Sequence, residues 1–168
     1  AGETSDVSMD LIFILVFFPT LIFAQSKLNV DVGGGTTMIK KDISASALLG
    51  LGYKVSDRIK VNLNAIYSKP EFEITKEKFE FSQISLEAEY SFIPESNINL
   101  SSVLGFSYLH FGDEIELKNN DGIGINLGVL LTFNNLERFN YGFRIVNTHS
   151  SIAYGGILSS NIYLRYQF

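Results

Sequence analysis

The sequence has no cysteine and no tryptophan. Without cysteine there is no disulfide framework, no thiol nucleophile and no zinc-finger spacing. Its two histidines, His110 and His149, are too few for a metal site without further ligands. Basic residues are in the minority, 13 against 18 acidic, for a net charge of −5. No basic cluster stands out, so a nucleic-acid partner is not expected. No Walker-type loop or dinucleotide fingerprint is present. Gly33-Gly34-Gly35 sits at the end of a strand-like run with no helix after it, and reads as rim flexibility, not as a phosphate cradle. No metal and no cofactor are expected.

The 168 residues suit one domain, but the front differs from the rest. Residues 11–24, LIFILVFFPTLIFA, are almost wholly apolar. That is short for a transmembrane helix, which needs roughly 20 residues, and fits the apolar core of a secretory signal peptide. The expected division is residues 1–24 as upstream residues and signal, with Met9 as the start, and 25–168 as the mature domain. Cleavage is expected after Ala24, although no Lys or Arg precedes the run. The alternative is an anchor that stays attached.

From residue 27 onward, Ile, Tyr, Phe and Asn are plentiful, and eight runs show period two with no helical stripe. They span roughly 27–37, 43–55, 58–68, 80–92, 97–110, 122–133, 139–148 and 157–168. In the second run Ile43, Ala45, Ala47, Leu49, Leu51, Tyr53 and Val55 oppose Ser44, Ser46, Gly50, Gly52 and Lys54. In the fourth, Ile84, Leu86, Ala88, Tyr90 and Phe92 oppose Gln83, Ser85, Glu87 and Glu89. The connections after the second, fourth and sixth runs are short. Those after the third, fifth and seventh are longer and polar, and the first, MIKKD, is short but charged. Short turns on one rim and longer loops on the other predict an all-β, antiparallel up-and-down barrel of eight strands. Both termini then fall on the short-turn rim.

The side that faces inward follows from composition. The apolar faces carry no Asp, Glu, Lys or Arg, as a lipid-facing or a core-facing surface requires. The other faces are rich in Gly, Ser and Asn and poor in charge, unlike a water-facing surface and suited to the cramped lumen of a small barrel. Tyr53, Tyr67, Tyr90, Phe92, Tyr108, Phe133, Tyr141, Tyr166 and Phe168 lie near run ends, where rings form interfacial girdles. The expected fold is thus a transmembrane barrel with a polar interior. The opposite assignment, a soluble lipocalin-like carrier, would need a different inner face. Asp31, Lys54, Lys60, Glu87, Glu89, Arg144 and Arg165 fall on the lumen face, and confined mixed charges should pair.

The eight runs, the loop asymmetry, the apolar leader and the closing IYLRYQF resemble the small eight-stranded outer-membrane proteins of Gram-negative bacteria, of the OmpX and OmpA-barrel type. The resemblance covers about residues 25–168. It implies Sec export to the outer membrane with both termini periplasmic, contact with outer-membrane lipid and lipopolysaccharide, and handling by the barrel-assembly machinery. Its assembly signal would fall on Ile162, Leu164, Tyr166 and Phe168. It also implies a structural or surface-binding role through extracellular loops, here 69–78 and 111–121, with Phe72, Ile74 and Ile115 as apolar anchors, and not a large-pore channel.

One segment admits an enzyme reading. His149-Ser150-Ser151-Ile152-Ala153 is similar to the His-x-Ser-Asn-Ala segment of outer-membrane barrels that deacylate lipid A. His149 would activate Ser151 as nucleophile. The Asn position holds Ile152, and no acid follows Glu137, so Asp113 or Asp121 would have to orient the histidine. No catalytic residue is expected on balance.

Overall fold

A computed structural model of the chain describes residues 27–71, 78–112, 120–134, 138–152 and 156–168. Eight strands form in sequence order: β1 (Leu28–Ile39), β2 (Asp42–Lys54), β3 (Ile59–Ser68), β4 (Phe81–Ser91), β5 (Ile98–Phe111), β6 (Asp121–Phe133), β7 (Phe139–Ser150) and β8 (Ile157–Gln167). Each pairs antiparallel with its neighbour, and β8 returns to β1, closing the barrel. Closure leaves no free sheet edge. The expected signal segment, 1–24, lies outside the described residues.

The period-two pattern reappears as alternating burial. In β3 and β4, buried Asn62, Asn64, Glu87 and Glu89 alternate with exposed Val61, Leu63, Leu86 and Ala88. Exposed apolar side chains cover the outside of every strand, with Phe106 at 71% and Ile123 at 73%. Polar side chains fill the inside. A soluble barrel would show the reverse, so the lipocalin-like alternative fails on this arrangement.

Two local features differ from the sequence reading. The connection between β1 and β2 is only Lys40–Lys41, with Lys40 in the left-handed region at φ 59°. Tight hairpins of this kind usually announce themselves with Asn-Gly or Asp-Gly, so the sequence reads as a short connection of five residues, MIKKD, where the hairpin needs two. Gly33 to Gly35 lie in mid-β1, not at a rim. A Cβ on Gly33 or Gly35 would collide with the β8 carbonyls of Ile162 and Ser160. Their role is close approach at the closing seam, not rim flexibility.

Apolar side chains also enter the lumen. Leu48, Ile66, Val103, Leu130, Val146 and Tyr163 form one inner cluster. Ile39, Phe79, Phe81, Leu109, Phe111 and Ile157 form another, where the strands run into the longer connections, with Ile152 packed against it. Phe81 and Phe111 sit 5.2 Å apart, ring centre to ring centre. This second cluster plugs one end of the barrel.

Candidate functional site

Two ion-paired centres occupy the lumen. In the first, Arg165 grips Asp31 through two bonds of 2.8 Å, from Nε to Oδ1 and from Nη2 to Oδ2. It also donates to both oxygens of Glu89, at 3.1 and 3.4 Å. Asn62 and Ser101 donate to Glu89 as well, at 3.2 Å each. Asn29 donates to Asp31 at 3.0 Å. Lys60 approaches Glu89 at 3.9 Å. Two carboxylates and two cations make this centre neutral, with Arg165 and Glu89 each only 1% exposed.

The second centre is built on Glu87. Arg144 pairs with its Oε1 at 2.5 Å. Asn126 and Ser85 donate to the same oxygen at 2.7 and 3.0 Å, and Asn64 to Oε2 at 2.8 Å. Asn126 in turn accepts from Ser107, Thr148 and Gln83. Buried charge is tolerated when it is both paired and fully hydrogen-bonded, and these carboxylates meet that condition.

Of the seven charged residues assigned to the lumen from sequence, six belong to these two centres. Lys54 instead lies at the rim and pairs with Asp57 of the β2–β3 turn at 2.8 Å. It is the last residue of β2, so its long side chain reaches the mouth.

Tyr163 was not singled out by the sequence reading, yet it joins the parts. Its hydroxyl is 2.6 Å from Thr132 Oγ1, and the Arg165 guanidinium lies 5.2 Å from its ring centre. The ring lies where a side chain at position 142 would stand, so Gly142 makes room for it. Its parity with Arg165 on β8 was the available signal, masked by an apolar ring on a polar face.

Ile162, Leu164 and Tyr166 point outward from β8, with Phe168 just beyond. Tyr166 meets Phe168 edge-on at 4.9 Å and Phe139 at 4.9 Å. Phe133 stacks on Tyr141 at 5.1 Å, and Tyr90 meets Phe92 at 5.6 Å. These rings make an aromatic belt round the short-turn rim. At the other rim, outward polar contacts prevail. Lys69 pairs with Glu80 at 2.8 Å, and Tyr67 donates to Glu80 at 2.9 Å. His110 and Tyr108 both contact Asp121 at 2.7 Å. The Lys69 and Tyr67 hydrogen bonds hold the Glu80 carboxyl below the usual carboxylate range.

His149 and Ser151 line one outward groove with Phe106, Ile123 and Ile125. No side-chain hydrogen bond joins them, and Asp121 is engaged with His110 and Tyr108. Asp113 lies outside the described residues, as do 72–77 and 114–119 of the longer loops, with Phe72, Ile74 and Ile115. The base of the first of these loops is closed by pairing of Glu71 with Lys78. Among the described residues, no three His, Asp or Glu side chains gather as metal ligands.

An apolar wall outside, an aromatic belt and a paired polar lumen define a transmembrane β-barrel of the small eight-stranded outer-membrane type. Solved structures have the same fold. The N-terminal β-barrel domain of OprF from Pseudomonas aeruginosa matches with a TM-score of 0.64 at 15% identity, over 86% of this chain and 98% of that one. The outer-membrane enzyme PagL gives 0.56 at 16%, over 83% and 99%. Ail, the attachment invasion locus protein of Yersinia pestis, gives 0.56 at 10%, over 84% and 97%. No protein-family model and no curated protein matches the sequence.

Proposed function

We propose that this chain resides in a bacterial outer membrane and acts through the surface formed by its longer loops, not as a large-pore channel. The observation that carries this reading is the lumen, occupied by two neutral ion-paired centres and plugged by Phe81, Leu109 and Phe111 at the long-loop end. With the interior filled, the polar loops at 69–78 and 111–121 are what is left to meet a partner. Ail, a barrel of the same fold, is named for attachment and invasion, which is in keeping with a loop-borne role.

On this reading residues 1–24 direct Sec export with cleavage near Ala24. The assembly machinery reads Ile162, Leu164, Tyr166 and Phe168, the outer wall meets lipid and lipopolysaccharide, and both termini are periplasmic. An epitope inserted at 113–119 should be accessible to antibody on intact cells, and one inserted at 135–137 only after permeabilisation. Liposomes carrying the folded protein should not swell in small sugars. Swelling, or the reverse pattern of epitope exposure, would overturn the reading.

The groove shared by His149 and Ser151 supports an enzymic reading as second choice. Loss of acyl chains from lipid A that depends on Ser151, tested with Ser151→Ala, would favour it.

A further inference from the structure

The two ends of the lumen are not equivalent. The long-loop end is plugged, whereas the short-turn end opens into a cavity of about 320 Å3 lined by Lys27, Lys54, Lys60, Asn99, Asn140 and Gln167 among others. That volume is within the range of small-molecule sites. Its lining holds three lysines and one carboxylate: Lys54 pairs with Asp57 at 2.8 Å, and Lys60 balances the charge of the centre behind it.

Three lining side chains have groups without a protein partner: Lys60, Asn140 and, at its Oδ1, Asn99. Lys60 is mostly buried, and its ammonium has no hydrogen bond within the protein. Its nearest acceptor is Glu89 Oε1 at 3.9 Å, an oxygen already bonded by Arg165 and Ser101. Asn140, 4% exposed, makes no side-chain hydrogen bond, and its Oδ1 is buried without a partner. The Lys60 ammonium and the Asn140 Nδ2 are donors without a protein acceptor, and three free ammonium N–H groups call for oxygen acceptors. Behind Lys60 the Asp31–Arg165–Glu89 centre is held by its own hydrogen bonds and makes none to the ammonium.

We propose that this vestibule is a binding site for a small oxyanion, carboxylate or phosphate, entering from the rim of the chain ends, with Lys60 as its principal contact and Asn140 and Lys54 as supporting donors. The site does not depend on the role of the longer loops, which lie at the opposite end. An oxyanion presents several acceptors to the Lys60 ammonium and to Asn140 Nδ2. The plug makes the site a blind pocket, so a ligand would enter and leave by the same mouth.

The test is calorimetric titration of the full chain, folded in nanodiscs, with citrate and with pyrophosphate, and with glycerol as neutral control. Saturable binding of at least one anion, one per chain, is expected. The preferred probe separates a carboxylate from a phosphate ligand. Lys60→Gln should weaken binding about tenfold or more, the size of one charge-assisted hydrogen bond. Lys54→Gln should weaken it less. Asn140→Leu, which removes an already unsatisfied amide and should therefore fold, should weaken it severalfold and serves where Lys60→Gln does not fold. Raised salt should weaken all of these interactions. No saturable binding of either anion would show a vestibule filled by water alone and overturn the proposal. So would binding unchanged in Lys60→Gln and in Asn140→Leu.

Discussion

At the rim that carries Leu28 and Phe168, aromatic rings crowd the outside while the inside is open and polar. At the opposite rim the outside carries ion pairs and hydrogen bonds to Glu80 and Asp121, while the inside is sealed by phenylalanine, leucine and isoleucine. The same alternation produces both ends. What changes is which parity holds the apolar residues as the strands pass from lipid into the water beyond the longer loops. Within the membrane the apolar parity must face out. Beyond it an inner apolar cluster is favoured, as in a soluble protein. Phe81 and Leu109 therefore sit inward on strands whose middle sections turn Leu86, Leu104 and Phe106 outward.

The largest way to break this arrangement is to unbalance the centre nearest the open rim. Arg165→Ala leaves Asp31 and Glu89 buried without their main cation, and should destabilise the barrel by about 3–5 kcal/mol. Urea unfolding in micelles would measure it, and a change below about 1 kcal/mol would contradict the pairing described.

At the sealed rim, Phe81→Ala removes a ring from a packed cluster and should cost about 3 kcal/mol. Amide exchange at the long-loop ends of β4 and β5 should quicken, with the Glu87 centre little changed. Uniform acceleration along both strands would show that the plug is no separate unit.

The smallest effect is electrostatic. The exposed Glu80 carboxyl is held low by its hydrogen bonds from Lys69 and Tyr67. A lowered folded value means that its contribution is present above the ordinary carboxylate range and fades as pH falls through the folded value. Glu80→Gln should therefore flatten the acid limb of the stability profile slightly, because exposed pairs are worth little. An effect confined to alkaline pH would contradict the sign.

Strand number, order and outward face were legible because period two survives any packing detail. The short connections left between the runs, at 56–57 and 93–96, were equally plain. The lumen partners were not. Arg165 and Asp31 are 134 positions apart and meet only because β8 closes on β1. Leu48, Ile66, Val103, Leu130 and Val146 share the parity of the polar face, so a reading that assigns one polarity to each face passes over them. Lys54 shares that parity too, but a long side chain at a strand end can leave the lumen for the rim.

The absence of tryptophan makes the central claim directly measurable. Single tryptophans would be introduced as Phe106→Trp on the outer wall and Phe111→Trp in the inner plug, and each protein folded into bilayers of brominated lipid. The inside-out barrel predicts strong quenching at position 106 and little at position 111. Strong quenching at 111 with none at 106 would contradict it and return the apolar outer wall to a soluble interior.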